Sequence, residues 1–203
     1  RNSQNGWSIH EAGMAQLEAG FRALGLAFIP PSGNFVTVEI PRKGGVSQAG
    51  VVYDKGINLY MGGALGPENN LTGDTLVAYI REKHPRMKPA RILDMGCAIG
   101  NCAVPWGRAF PDAELHAIDV GAPVLRYAHA RAQSLGVPVH FSQQNAESTD
   151  FEAGSFDVVV SHIMLHETSK SALVRILKEC HRLLRPGGLM LHLEIPRGKT
   201  VIE

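Results

Sequence analysis

The sequence predicts an α/β fold with a largely parallel sheet between residues 91 and 195. Segments of strand length alternate there with segments of helical length. One strand segment, "FDVVVSH", is apolar at consecutive positions, which is typical of a strand that is buried on both faces. Strand–helix–strand units of this kind place their strands parallel, with helices on both faces of the sheet.

The residues before about position 50 follow a different pattern, which predicts a small α+β segment. Residues 10–25 carry apolar residues at the spacing of a helix, namely Met14, Leu17, Phe21 and Leu24. The segments "LAFI" and "NFVTVEI" predict two short strands on either side of the turn "PPSG". The segment "PRKGG" then interrupts this pattern.

From about residue 71 onward the predicted elements follow in regular order. Pro85 ends the first helix, and Gly136 follows the end of another. In chain order the elements are a helix in "TLVAYIREKHP", a strand in "RILDMG", a helix over residues 101–110, a strand in "ELHAIDV", a helix in "PVLRYAHARAQSLG", strands in "PVHFSQQ" and "FDVVVSH", a helix in "SALVRILKECHRLL" closed by "RPGG", and a strand in "LMLHLEI".

The composition limits the classes of function. The chain has 203 residues, 44% hydrophobic and 19% charged, which is typical of a globular protein with a buried core. A formal net charge of +1 indicates no nucleic-acid partner, and no apolar run reaches the ~18 residues of a membrane span. Three cysteines without paired spacing are typical of a reduced compartment, so we expect a cytoplasmic protein.

The segment "LDMGCAIG" indicates a ligand site where the first sheet strand ends. Ligands of such sheets bind beyond the carboxyl ends of the strands. Gly96 and Gly100 allow a sharp turn and a close approach of a ligand. Dinucleotide sites carry three glycines, whereas this turn has two and an acid, Asp94, before the first. A carboxylate there favours a ligand with an ammonium group, and the alternative is an ordinary strand-to-helix turn.

Polar residues after the next strands extend the predicted site. Asp119 ends "ELHAID" nineteen residues after Gly100, the position of an acid that holds ribose hydroxyls; alternatively it caps the next helix. Asn145, in "QQNAE", can pair with the edge of a purine, or it lies in a polar loop without a ligand. Ser161 and His162 end "FDVVVSH" and are expected to line the pocket mouth.

Residues from about 50 to 203 resemble the class I S-adenosylmethionine-dependent methyltransferases. The resemblance lies in "LDMGCAIG", "AIDV", "QQNAE", "SFDVVVSHIMLHE" and "ECHRLLRPGGLMLHLEIP", in that order. It implies a Rossmann-like doubly wound sheet of five strands in the order 3-2-1-4-5, S-adenosylmethionine as cofactor, and a small-molecule methyl acceptor. The implied cofactor-binding residues are Asp94, Gly96, Cys97, Ala98, Gly100, Asp119, Val120, Asn145, Ala146, Glu147, Ser161 and His162.

The sequence departs from the family's pattern at two positions, and the resemblance also has a consequence for the edge of the sheet. The family often has a third glycine where Ala98 stands and an aspartate where Asn145 stands. It also carries further strands after the fifth, so we expect that the C-terminal strands are missing here. The segment "LMLHLEI" would then lie at an exposed sheet edge, which favours self-association. Two alternatives stay open: a nucleotide-binding oxidoreductase domain of the NAD type and a non-catalytic cofactor-binding fragment.

Residues 1–50 resemble the small C-terminal domain of histidinol-phosphate aminotransferases, in "HEAGMAQLEAGFRALGLAFIPPSGNFVTVEI". The large domain that carries that family's chemistry has no counterpart in this sequence, so no aminotransferase activity is expected. We predict three regions: this fragment over residues 1–50, a methyltransferase lead and helix over residues 51–90, and the cofactor-binding core over residues 91–203.

Several other residues allow a functional and a structural interpretation. His162, His166 and Glu167 could form a metal site if they were helical, but they straddle a strand end and a loop, so we expect no metal. Cys97 could be a reactive thiol at a helix start, although a small buried residue is the favoured interpretation. A general base is needed only if the acceptor loses a proton, and His162 or His166 could serve.

Overall fold

The computed structural model of the protein describes residues 15–16, 18–23, 25–29, 37–38, 42–43 and 46–194. The chain divides into two compact units, residues 1–71 and residues 72–203. Among the described residues, no helix is both long and apolar enough to cross a membrane.

The first unit combines helices with two small antiparallel pairs of strands. The helix α1 is described at residues 15–16 and 18–23. The further elements are β1 (Phe28–Ile29) paired with β2 (Thr37–Val38), β3 (Arg42–Lys43) paired with β4 (Val46–Ser47), and α2 (Ala49–Tyr60). The predicted helix and two strands are thereby confirmed where they are described, whereas the turn "PPSG" lies outside the described residues.

A polar cluster fixes the chain after α2. Asn69 has a left-handed backbone with φ of 56°. Its side-chain nitrogen donates to the backbone oxygen of Asp54 at 3.0 Å and to the carboxylate at 2.6 Å, and its oxygen accepts from Asn58 at 2.9 Å. These bonds compensate for the burial of Asn69. The helix α2 was not predicted, because Gly50 and Gly56 weaken its helical signal.

The second unit is a five-stranded sheet with helices on both faces. Its elements are α3 (Leu71–Lys83), β5 (Arg91–Met95), α4 (Ala103–Ala109), β6 (Glu114–Asp119), α5 (Ala122–Ser134), β7 (His140–Gln143), β8 (Phe156–His162), a 3₁₀ helix (Leu165–Glu167), α6 (Lys170–Leu183) and β9 (Leu184–Leu193). The strands lie in the order β7-β6-β5-β8-β9, and every neighbouring pair is parallel. This confirms the predicted order 3-2-1-4-5.

The core lies on both faces of the central strands β5 and β8. On one face Ile92 and Val158 pack in a cluster with Trp106 of α4, and on the other Leu93 packs in a cluster with Ile176 of α6. The burial of both faces explains why the strand sequences are apolar without alternation. The sheet therefore holds the carboxyl ends of its strands rigidly at one edge.

The start of β9 differs from the prediction. We expected "RPGG" to separate the helix from the last strand, but β9 begins directly at Leu184 and continues through this segment with an irregular register against β8. Arg185 forms an ion pair with the buried carboxylate of Asp157 in β8, and Gly187 adopts a left-handed conformation with φ of 80°. The pairing of Arg185 with Asp157 and the glycine turn let the chain pair with β8 through a bulge.

Candidate functional site

The turn after β5 contains three residues with left-handed backbone within a stretch of five residues. Gly96 has φ of 69°, Ala98 of 45° and Gly100 of 82°. The N–H of Cys97 donates to the oxygen of Ile118 in β6 at 2.9 Å, and the N–H of Gly100 donates to the oxygen of Cys97 at 2.7 Å. The turn is thereby fixed to the neighbouring strand before it enters α4. Two glycines are present because left-handed backbone is costly for other residues.

The two glycines serve different purposes. A Cβ atom at Gly96 would lie 2.5 Å from Cγ and 3.2 Å from Cβ of Met164, so this position needs both the conformation and the space. A Cβ atom at Gly100 would meet its nearest neighbours at 3.7 Å, which is ordinary contact. The close approach that Gly96 allows is therefore made in this structure by the Met164 side chain, whereas Gly100 is required for its conformation alone.

Asp119 joins the glycine turn to the end of β6. One carboxylate oxygen accepts from the N–H of Ala98 at 2.9 Å, and the other accepts from the N–H of Gly121 at 2.8 Å. The helix α5 begins after Gly121 without a side-chain cap, so Asp119 does not cap that helix. Because each carboxylate oxygen has two lone pairs, Asp119 keeps acceptor capacity for a ligand.

The loop after β7 is held in shape by its own side chains. The oxygen of the Asn145 side chain accepts from the N–H of Glu147 at 2.9 Å. The carboxylate of Glu147 forms an ion pair with Arg175 of α6. One acceptor atom of Asn145 is thus used within the loop, and its amide N–H groups are the part that can donate to a ligand.

A cavity of about 290 Å³ lies where these segments meet. Its lining combines apolar and polar side chains, as is usual for sites of small ligands. Six predicted site residues line it: Gly96, Asp119, Val120, Asn145, Ala146 and Glu147. The other lining residues are Ile118, Gln144, Met164, Glu167, Thr168, Ala172 and Ile176.

The sequence did not indicate several residues of this lining. Met164, Glu167 and Thr168 belong to the segment between β8 and α6, and Ile176 belongs to α6 itself. Tertiary packing places these residues over the carboxyl ends of the strands, and no spacing in the sequence predicts this position. Their only local signal is that they follow a strand whose carboxyl end faces the cavity.

Asp94 is completely buried at the end of β5. Neither carboxylate oxygen has a hydrogen-bond partner of good geometry among the described residues. Burial raises the pKa of Asp94 well above its ordinary value, and the nearby Asp119 carboxylate raises it further, while weaker contacts with Ala103 and Cys102 act in the opposite direction. A buried carboxylate of this kind is stabilised by an entering cation.

Asp94, Cys102 and His162 form one cluster on the same face of the sheet. Their potential ligand atoms lie within 4.8 Å of one another, and within the described part of the chain they are the one such group. Burial lowers the pKa of His162 to about 4, with Glu194 acting in the opposite direction, and burial raises the pKa of the Cys102 thiol. Oxygen, sulfur and nitrogen atoms of this kind can bind zinc, and a carboxylate among them also favours an ammonium group.

The other predicted cofactor-binding residues do not line the cavity: Asp94, Cys97, Ala98, Gly100, Ser161 and His162. Ser161 is completely buried, and its hydroxyl is 2.7 Å from Nδ1 of His192 in β9, so it faces the neighbouring strand instead of a pocket mouth. Cys97 is buried, and burial raises the pKa of its thiol well above the ordinary value, which agrees with the structural interpretation of this cysteine. Of the three residues considered for a metal, His166 pairs with Glu167 and with Glu194, whereas His162 lies with Asp94 and Cys102.

Comparison with known proteins agrees with this architecture. Residues 92–188, just under half of the chain, match the family described as "Methyltransferase domain". Similar curated proteins are a demethylmenaquinone methyltransferase of Thermus thermophilus, 32% identical over 53% of this chain and 48% of its own, and a malonyl-[acyl-carrier protein] O-methyltransferase of Methylococcus capsulatus, 34% identical over 57% and 40%. The chain thus spans about half the length of the curated relatives that it matches.

The structural comparison agrees on the fold. A crystal structure described as an S-adenosylmethionine-dependent methyltransferase from Clostridium acetobutylicum is 16% identical, covers 69% of this chain and 56% of its own, and has a TM-score of 0.58. The resemblance of residues 1–50 to aminotransferases finds no support in these comparisons. Residues 92–188 therefore match a methyltransferase domain family in sequence, and the sheet order agrees with a Rossmann-like fold.

Proposed function

We propose that the second unit binds S-adenosylmethionine and transfers its methyl group to a small-molecule acceptor. The observation that carries this proposal is the hydrogen bond from Ala98 to Asp119, which joins the glycine turn to the acid at the end of the neighbouring strand beside one cavity. An acid at this position suits the two ribose hydroxyls. The match to a methyltransferase family supports the same assignment.

Residues that line the cavity, together with the buried Asp94 at the end of β5, have roles in this proposal. Asp119 accepts hydrogen bonds from the ribose, and the loop of Asn145, Ala146 and Glu147 contacts the adenine edge. Asp94 receives the ammonium group, because its buried carboxylate has no partner of good geometry among the described residues. The apolar Ile118 and Ile176 give the ring a dry contact surface.

The bound cofactor supplies an electrophilic methyl group, so the chain's own residues have limited chemistry to perform. They hold donor and acceptor in line and keep water away from the reacting atoms. The names of the relatives include O-methyltransferases with different acceptors. We therefore propose a small-molecule acceptor as a class. A cytoplasmic location and self-association through β9, an edge strand of the described sheet, stay predictions.

Calorimetry separates the proposed function from its alternatives. The chain is titrated with S-adenosylhomocysteine and, in parallel, with NAD⁺. We expect saturable binding of S-adenosylhomocysteine and none of NAD⁺, because the turn has an acid where a pyrophosphate would lie. Binding of NAD⁺ alone would indicate the oxidoreductase alternative. If S-adenosylhomocysteine binds but no acceptor is ever methylated, the chain is a non-catalytic cofactor-binding fragment.

A further inference from the structure

We propose that Asp94, Cys102 and His162 form a regulatory zinc site, and that Zn²⁺ bound there competes with the ammonium group of the cofactor. This proposal rests on the proposed function, because that function assigns the ammonium group to Asp94. Ligand atoms of the three side chains lie within 4.8 Å of one another. They offer one oxygen, one sulfur and one nitrogen, a mixed set that suits zinc.

Three different elements bring these side chains together. Asp94 pairs with Val160 in the parallel register of β5 and β8, and His162 follows Val160 two residues later. Since every second residue of a strand faces the same side of the sheet, Asp94 and His162 share one face. Cys102 directly precedes α4 and packs in one cluster with Val160 on that face. The site is therefore held by two strand ends and the start of a helix, a combination that sequence spacing does not indicate.

Buried polar atoms of this cluster lack other partners. Both carboxylate oxygens of Asp94 and Nδ1 of His162 are buried without a hydrogen-bond partner of good geometry among the described residues. Asp94 and Cys102 are themselves completely buried. A buried carboxylate without a partner is unfavourable, and a bound cation compensates for its lost hydration. The atoms without partners therefore indicate a cationic ligand.

The size of the cluster fits a zinc ion after a small adjustment. Zinc binds sulfur at about 2.3 Å and nitrogen or oxygen at about 2.0–2.2 Å, so ligand atoms of a tetrahedral site lie about 3.3–3.7 Å apart. The three atoms therefore need to approach one another by at most about 1.5 Å, which rotation of the side chains can supply. The thiol proton of Cys102 leaves to solvent as the Zn–S bond forms, and a water can take the fourth position.

The ligand types select the metal, and the shared carboxylate makes binding competitive. Mg²⁺ and Ca²⁺ prefer oxygen ligands, whereas a thiolate and an imidazole favour zinc. Asp94 is both a zinc ligand and the proposed partner of the cofactor's ammonium group. Two cations at one carboxylate repel each other, so Zn²⁺ and the ammonium group exclude one another. A rise in free zinc would therefore displace the cofactor and stop methyl transfer.

Spectroscopy tests the metal site without any cofactor. Co²⁺ in place of zinc gives a thiolate-to-metal charge-transfer absorption when a cysteine is a ligand. We expect this absorption in the parent chain, its loss in Cys102→Ala, and its retention in Cys180→Ala, a matched change at another buried cysteine. Asp94→Asn should weaken the binding of Co²⁺. Displacement of Co²⁺ by Zn²⁺ then gives the dissociation constant of zinc.

A second measurement needs no variant, in case the alanine variant fails to fold. X-ray absorption of the parent chain with one equivalent of Zn²⁺ should show one sulfur neighbour beside nitrogen and oxygen neighbours. A zinc ion without a sulfur neighbour, or a charge-transfer absorption that persists in Cys102→Ala, would overturn the site.

Calorimetry then tests the competition. S-adenosylhomocysteine is titrated into the parent chain while a metal buffer holds free zinc at a fixed level. With free zinc at about ten times its dissociation constant, we expect the apparent Kd of S-adenosylhomocysteine to rise about 11-fold, by mass action at a shared site. Mg²⁺ at the same level should have no effect. 5′-Methylthioadenosine lacks the ammonium-bearing end, so its affinity should be the same with and without zinc.

The controls separate this site from other histidines and from the proposed function. Cys102→Ala should bind S-adenosylhomocysteine like the parent chain and lose the effect of zinc. His166→Gln removes a histidine that pairs with Glu167 and Glu194, and it should keep that effect. An unchanged Kd for S-adenosylhomocysteine in the zinc-loaded parent chain would overturn the competition. A chain that binds zinc through sulfur but binds no S-adenosylhomocysteine would keep the metal site and refute the proposed function.

Discussion

The backbone N–H of Ala98 donates a hydrogen bond of 2.9 Å to the carboxylate of Asp119, across the carboxyl ends of two neighbouring strands. Ala98 has a left-handed backbone in this turn, with φ of 45°. The same carboxylate therefore shapes the glycine turn and faces the cavity. The geometry of the glycine turn and the proposed ribose contact therefore both depend on the Asp119 side chain.

Asp119→Ala should weaken the binding of S-adenosylhomocysteine. A hydrogen bond to a charged group contributes about 1.5–3 kcal/mol, which corresponds to roughly 10- to 150-fold in affinity. Calorimetry measures this change, with Asp112→Ala as a matched control at an exposed aspartate. An unchanged dissociation constant in Asp119→Ala would remove the ribose assignment.

Gly96→Ala should destabilise the second unit more than Gly100→Ala. Both substitutions place a side chain on left-handed backbone, which should destabilise the fold by about 1–2 kcal/mol each. Only the first also meets Met164, at 2.5 Å. Urea denaturation should therefore show a larger loss for Gly96→Ala, and adding Met164→Ala should reduce the difference. Equal losses in both single variants would argue against the contact with Met164.

Asp157→Ala should weaken the connection between β8 and the start of β5. Its buried carboxylate accepts from the N–H of Ala90 at 2.6 Å and from the N–H of Arg91 at 2.7 Å, and it pairs with Arg185. The alanine variant leaves these donors without an acceptor. The free energy of unfolding should therefore fall by about 2–5 kcal/mol. Asp157→Asn keeps an acceptor oxygen and should lose less, and the opposite order would contradict this account.

Glu179 should make stability depend on pH in the acidic range. The hydrogen bond from Arg182 is the main cause that lowers the pKa of Glu179 from 4.5 to about 2; burial opposes it, and Thr149 contributes two further bonds. A lowered pKa means stability that is present above pH 4.5 and is lost as the pH falls through about 2.

The test for Glu179 compares the free energy of unfolding at two pH values. Glu179→Gln should lose about 2 kcal/mol of unfolding free energy at pH 7, and this loss should shrink toward pH 2. Glu152→Gln, at an exposed glutamate, should show little loss at either pH. A loss in Glu179→Gln that stays constant across this range would show that the ionised carboxylate is not the cause.

The sequence predicted the sheet because its central strands, β5 and β8, have no exposed face. Val158, Val159 and Val160 are all buried, so the apolar run is visible without any knowledge of neighbours. The start of β9 was not predicted, because the ion pair between Arg185 and Asp157, which joins the "RPGG" segment to β8, depends on tertiary structure.

Within the candidate site, the sequence predicted only residues that directly follow a strand. Asp119 and Asn145 stand at fixed distances after strand signals, and the structure places both at the cavity. Ser161 belongs to the same kind of position, but its hydroxyl contacts His192 of the neighbouring strand β9 and it does not line the cavity. Met164 and Ile176 reach the cavity through packing of the segment after β8 and of α6, which no local pattern records.

The crystal structure of the chain with S-adenosylhomocysteine tests the central claim most directly. We predict that both ribose hydroxyls lie within hydrogen-bond distance of the Asp119 carboxylate, that the adenine lies against the loop of Asn145 to Glu147, and that the ammonium group lies at Asp94. A ligand bound elsewhere on the chain, or bound at this cavity with its ribose away from Asp119, would contradict the account.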